Sequence, residues 1–255
     1  MLLAIDIGNT NIKIGLFQDD EHKMTWSIST GVHRMPDEYG IMLLDLLKFN
    51  GLSASTVTKA AISCVVPPLV TIFTEMFQRY FNITPLVVGP GVKTGFRIRT
   101  DNPREVGRDL ISNTAGAISL YSRPIIIVAL GTATAITTIS RDGDYLGGAL
   151  APGVGIAAEA LYARTAALPR VEITAPQHAI GNNTQAAMQS GIVFGFAGLV
   201  DSIVNRIQQE LGEKATVVAT GGYAGIIAKE AKTIDVINPD LTLYGIRTIH
   251  AMNMA

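Results

Sequence analysis

The feature that most constrains this chain is a strand pattern that occurs twice. Leu2-Leu3-Ala4-Ile5-Asp6-Ile7 is an apolar run broken at Gly8-Asn9-Thr10, after which Ile12, Ile14 and Leu16 alternate with Lys13 and Gly15. That period of two is the signature of a strand with one buried face. Ile125 to Leu130 reaches Gly131-Thr132 and continues into the strand-like Ala133 to Ser140. An apolar strand, a glycine turn and a second strand, repeated in 255 residues, predict two related α/β halves, 1–121 and 122–255.

The segments between fit alternating strands and helices. In the first half, Lys23 to Ser29, Lys59 to Val66 and Pro85 to Val88 read as strands. Pro36 and Pro67-Pro68 each open a helix, where proline is tolerated in the first turn, and a helix from about Arg104 to Tyr121 closes the half. In the second, Asp142-Gly143 signals a hairpin into Tyr145 to Leu150. A glycine-rich stretch, Gly147 to Gly155, precedes a helix through Leu161, and a long helix is predicted over Thr184 to Leu211. Thr216 to Ala219 then forms a strand ending at Thr220-Gly221-Gly222, before a short helix, a strand near Ile234 to Ile237 and a C-terminal helix.

Charge narrows the function. Lys plus Arg (20) nearly cancels Asp plus Glu (21), so there is no basic field to track a nucleic-acid backbone, and nucleic acid is not an expected partner. The single cysteine, Cys64, lies in the apolar run Ala60 to Val66 and reads as core. The N-terminus enters a strand with no basic region or cleavage pattern, and no uninterrupted apolar run reaches the roughly 18 residues that span a bilayer. A cytoplasmic protein without membrane partners is expected.

Three turns have the residues that phosphate chemistry requires. Asp6-Ile7-Gly8-Asn9-Thr10-Asn11-Ile12-Lys13 places a carboxylate at a strand end, then a glycine for close backbone approach, then amide and hydroxyl donors. Asp6 suits Mg²⁺, directly or through water. Thr132 offers a hydroxyl at the second turn, and Gly221-Gly222 leaves backbone open where a nucleoside could lie. Each turn alone fits an ordinary hairpin; their order carries the reading. That order resembles the actin-like sugar and acetate kinase superfamily, which implies two duplicated actin-like (ribonuclease H-like) halves. Each would be a mixed sheet flanked by helices, with an ATP cleft between them.

Longer motifs narrow the resemblance: Thr94-Gly95-Phe96, Asp101 to Asp109, Gly147-Gly148 to Pro152-Gly153, Ile180-Gly181-Asn182-Asn183-Thr184 to Ser190-Gly191, and Pro239 to Arg247. Together they resemble type III pantothenate kinase over nearly the whole chain. The resemblance implies ATP-dependent phosphorylation of pantothenate, the first step of coenzyme A synthesis, by a homodimer using Mg²⁺ and a monovalent cation, K⁺ or NH₄⁺. Carried across by position, Asp6 to Lys13, Thr132, Gly221 and Gly222 bind ATP. Asp109 is the general base, while Thr100, Gly107, Arg108, Leu110 and Thr184 contact the acceptor.

Three positions depart from the family pattern. Where the family has Gly-Ala-Asp-Arg, this chain has Gly107, Arg108, Asp109 and Leu110. The tyrosine before Asp101 is Thr100, and the aspartate of the monovalent-cation site is Ala129. These departures leave a second reading open: a weak paralogue that binds nucleotide or metabolite and acts as a regulatory protein. His22, His33, His178 and His250 lack metal-ligand spacing, Trp26 fits a strand face, and Arg97 and Arg99 are reserve candidates for an anion site.

Overall fold

The computed structural model describes residues 1–254. Its elements run β1 (Leu2–Ile7), β2 (Asn11–Gln18), β3 (Glu21–Ser29), α1 (Pro36–Phe49), β4 (Lys59–Cys64), α2 (Pro67–Phe81), β5 (Leu86–Val87) and α3 (Arg108–Leu120). They continue with β6 (Ile125–Leu130), β7 (Ala133–Ile139), β8 (Tyr145–Pro152), α4 (Val154–Ala163), α5 (Thr184–Leu211), β9 (Thr216–Thr220), α6 (Ala224–Ile227), β10 (Val236–Ile237) and α7 (Leu241–Met254). The helix expected from about Arg104 begins at Arg108, because Pro103–Glu105 forms a separate 3-10 turn held by the Asn102 side chain.

The strands form two five-stranded mixed sheets, ordered β3-β2-β1-β4-β5 and β10-β9-β6-β7-β8. Read outward from β1 and from β6 the wiring is the same. Each founding strand pairs antiparallel with the strand after its glycine turn and parallel with the later one, β4 or β9. The duplication read from sequence is therefore a duplication of topology.

The chain divides into two compact units. One comprises 1–95, 102–119 and the C-terminal segment from Asp240; the other comprises 96–101 and 120–239. The change of unit at 119/120 falls close to the expected 121/122, but two segments cross over. Residues 96–101 run beside β8 through an Ile98–Tyr145 bridge. The C-terminal helix α7 packs on β1, with Leu243 and Ile246 joining Leu2, Ala4 and Ala61 in one apolar cluster. Its apolar face finds its partner in the first sheet, which charge and periodicity along the chain do not announce.

In the first unit, Leu3, Ile5, Ile7, Ile12 and Ile14 point to a core closed by α1 and α2 through Tyr39, Leu43, Phe73 and Phe77. Strand alternation then sends Asp6 and Lys13 to the opposite face, the one α7 covers. In the second unit, Ile126, Val128, Leu130 and Ile136 bury against α5 through Val193, Phe196, Val200 and Val204. By length and composition α5 could cross a membrane; its apolar stripe is instead spent on this core. Cys64 is buried, its thiol donating to the Val66 carbonyl at 3.0 Å.

Candidate active site

The first glycine turn is a tight hairpin in which Gly8 N donates to the Asn11 carbonyl at 3.0 Å. Thr30 anchors it from just after β3, its hydroxyl donating to Gly8 O at 2.7 Å and its amide to Thr10 O at 3.0 Å. Asn9, Thr10 and Asn11 are exposed at its tip. Ile7 and Ile12 are fully buried in the core, so within the Asp6 to Lys13 segment these two can offer only backbone.

Asp6 lies one residue inside the turn, register-paired with Lys13 on β2 and Ser63 on β4. The three side chains share one face of the sheet. Burial pushes the Asp6 carboxyl up to about 7, the Asp109 carboxylate adds to the rise, and Lys13 opposes it. Burial likewise raises Asp109, opposed by hydrogen bonds from the amides of Leu110 and of Asp109 itself at the start of α3. A desolvated carboxylate whose charge is further disfavoured by a second one nearby marks a place suited to a cation or a proton. Beside them the Ser63 hydroxyl is buried with no hydrogen-bond partner, an uncompensated polar group that water or a ligand can satisfy.

Two helices bring these groups together. Gly107, immediately before α3, lets the Asp109 carboxyl fold back into space a Cβ would occupy. Gly116 of α3 and Gly245 of α7 pass backbone against backbone: a Cβ on either would run into the other helix. The Thr242 hydroxyl donates to Asn113 Oδ1 at 2.7 Å across the same crossing. The N-termini of both helices thus reach the β1–β2 turn, one presenting Asp109 and the other Asp240, whose Oδ1 is 3.5 Å from Lys13 Nζ. The sequence reading assigned Asp240 no role. Its signal is a Pro-Asp pair ahead of an apolar helical run, a pattern that by itself says only helix start.

Arg108 turns its guanidinium over the backbone of Gly89, beyond β5, close enough to favour a thiolate at Cys64. Burial still outweighs it, and the thiol is raised. Leu110, the following residue of the motif, is half-buried on α3.

The second unit holds the other turns. Gly131 N donates to the Ala133 carbonyl at 3.0 Å, with Thr132 between them, a turn one residue shorter than that of Gly8 and Asn11. Gly153, at the start of α4, lies so close to the Gly131 and Thr132 carbonyls that a Cβ would clash. Gly221, with a positive φ of 95°, packs directly on the Leu130 backbone, and Gly222 is open to solvent. The Gly131-Thr132 turn and the Gly221-Gly222 turn, expected to hold phosphate and nucleoside, are therefore neighbours. Thr184 is the exposed first residue of α5, whose start is capped by Asn183 accepting from Ala186 N at 2.8 Å. Thr100 lies next to Gly147, and its hydroxyl is buried with no hydrogen-bond partner. Arg97 and Arg99 both pair with the Asp144 carboxylate, which offsets one of their two charges.

The residues present fit one expected cation and not the other. Among the described residues no three His, Cys, Asp or Glu side chains cluster as a metal-binding group. Mg²⁺ bound with a nucleotide needs only one or two protein carboxylates, since phosphate oxygens and water complete its shell, and Asp6 meets that requirement. Ala129 stands between Ala135 and Thr220 in register. Two methyls and one hydroxyl do not make the carboxylate site expected for K⁺ or NH₄⁺.

Duplicated glycine-turn sheets with a carboxylate pair at the first turn define a phosphotransferase of the actin-like α/β class. Solved structures agree at the level of fold. Inorganic polyphosphate/ATP-glucomannokinase from Arthrobacter sp. strain KM has a TM-score of 0.50 at 12% identity, covering 99% of this chain and 98% of that one. The ethanolamine utilization protein EutJ from Carboxydothermus hydrogenoformans has a TM-score of 0.56 at 13% identity, covering 97% and 89%. Sequence relatives go further. The family model of type III pantothenate kinase matches residues 2–206. The type III pantothenate kinase of Dehalococcoides mccartyi strain CBDB1 is 50% identical over 252 residues, 99% of this chain and 96% of that protein. That of Moorella thermoacetica is 49% identical over 253 residues, 99% and 100%. The chain belongs to the type III pantothenate kinase family.

Proposed function

We propose that the protein transfers the γ-phosphoryl group of ATP to the primary hydroxyl of pantothenate, giving 4′-phosphopantothenate and ADP. The observation that carries the reading, beyond family membership, is that Asp6 and Asp109, both half-buried, are close enough beside the first glycine turn for the charge of Asp109 to act on Asp6. Asp109 accepts the hydroxyl proton as that oxygen forms its bond to the γ-phosphorus and the bond to the β-bridging oxygen breaks. Its raised basicity suits the task. The Asp6–Lys13 turn, Thr132 and the Gly221-Gly222 turn hold the nucleotide. Asp6 would hold Mg²⁺, which would supply charge neutralisation at the phosphates. No step is assigned to a monovalent cation.

Pantothenate is a carboxylate, and Arg108 is the cation offered to it, in place of the arginine that Leu110 displaces. Thr184 contributes a hydroxyl. The protein acts in the cytoplasm as a homodimer. Support for the dimer comes from α5, where Gly191, Gly195 and Gly198 face solvent with nothing near their missing side chains. Exposed Leu150, Ile156 and Tyr162 add apolar area on neighbouring β8 and α4.

The test incubates purified protein with Mg·ATP and pantothenate and follows 4′-phosphopantothenate and ADP by mass spectrometry. Stoichiometric formation of both is expected. ATP binding without transfer to pantothenate, with or without added K⁺ or NH₄⁺, overturns the reading.

A further inference from the structure

Lys13 is the one basic residue of the first phosphate turn, and it has two carboxylates to choose from. Asp6 is its register partner on β1, and its charge already acts on Asp6. Asp240, from the start of α7, sits with Oδ1 3.5 Å from the ammonium. A lysine ammonium is a point charge on a flexible stem, so whichever carboxylate holds it decides where it points.

Asp240 is fixed by its surroundings. The Gly116–Gly245 crossing and the Thr242–Asn113 hydrogen bond lock α7 in place. Behind Asp240, His22 Nδ1 lies 3.9 Å from Oδ2. The His22 ring is itself pinned: Nε2 is 3.0 Å from the Met24 carbonyl and 2.8 Å from Thr25 Oγ1, and the ring stacks on Phe17 with centroids 4.8 Å apart. Tyr244 of α7 closes the cluster edge-on to both rings. A partly buried carboxylate with a rigid backing and one lysine in front of it is a fixed anchor for that lysine.

We propose that Asp240 is the positioning residue for Lys13, holding its ammonium at the first phosphate turn for the nucleotide and off Asp6, which stays available to Mg²⁺. The inference rests on the reading of that turn as a phosphate site. Without Asp240 the ammonium collapses onto Asp6, and both groups are withdrawn from Mg·ATP at once.

The experiment measures Mg·ATP affinity by calorimetry on the full chain for wild type, Asp240→Asn, Lys13→Ala and the double variant, with the melting temperature of each. Asp240→Asn is expected to weaken Mg·ATP binding about fivefold, a coupling typical of charges in direct contact, and to add nothing in the Lys13→Ala background. Pantothenate KM stays near wild type, and Asp240→Glu recovers part of the loss. Asp240→Ser, which keeps a helix-start acceptor but no charge, repeats the measurement if the asparagine variant is unstable. Losses that multiply independently in the double variant overturn the proposal, as does an unchanged affinity in Asp240→Asn. Because the readout needs no acceptor, a wild type that binds Mg·ATP but does not phosphorylate pantothenate defeats the functional reading alone. A wild type that binds no Mg·ATP defeats both.

Discussion

Gly245 of α7 rests on the Ser112 carbonyl and the Gly116 amide of α3, leaving no room for a methyl group between the two helices. This crossing, more than any side chain, delivers Asp109 and Asp240 to the β1–β2 turn. Gly245→Ala is therefore expected to cost about 1–3 kcal/mol by overpacking against backbone and to lower activity by displacing Asp109. Thermal unfolding and turnover are measured together. A variant as stable and as active as wild type would show that the crossing relaxes freely and does not position the base.

Asp109→Asn keeps the shape and the amide contacts at the start of α3 while removing the proton acceptor. Turnover should fall by about 10²- to 10⁴-fold, the usual worth of a positioned general base, with Mg·ATP affinity within a few-fold of wild type. Turnover equal to wild type would remove Asp109 from the chemistry.

Much of this site could be read along the chain, and the reasons for the rest are physical. The two glycine turns were legible because apolar strands and a glycine at each break are local signals, and β1 and β6 found the same wiring. The Asp109 motif was legible through its resemblance to a family. Asp240 was not, because a Pro-Asp pair before a helix is explained fully by helix initiation, and its partner Lys13 lies more than 220 residues away in sequence. The pairing of Arg97 and Arg99 with Asp144 was hidden for the same reason: alternation puts both arginines on one side of a strand, but only the fold supplies the carboxylate. That the Thr100 hydroxyl is buried beside Gly147 was likewise not legible, since Gly147 lies far along the chain.

Asp144 ties residues 96–101 to the second sheet, and its contribution should depend on pH. Burial acts to raise its carboxyl, but the hydrogen bonds and charges of Arg97 and Arg99 outweigh it and hold the group below its ordinary value of 3.8. A depressed folded value means that the stabilisation is present above pH 3.8 and is lost as pH falls through the folded value. Asp144→Asn should lower the melting temperature by a few degrees at pH 6 to 8, with the gap to wild type closing below pH 4. A gap of constant size across that range would mean that the arginine pairing contributes nothing and only packing was disturbed.

Ala129 sits in β6 between Ala135 and Thr220, with no carboxylate in register on either side. Turnover of the wild type should therefore change less than about twofold when K⁺ or NH₄⁺ replaces a large organic cation, since no anionic ligand is present to hold the ion. Ala129→Asp should introduce a cation response. The new carboxylate is partly buried, and without a cation beside it the charge would destabilise the strand, so the variant should melt lower in the organic-cation buffer and recover when K⁺ is added. Melting curves in both buffers separate a working cation site from a damaged strand. Strong K⁺ activation of the wild type, left unchanged in a folded Ala129→Asp variant, would show that the ion is held by other oxygens.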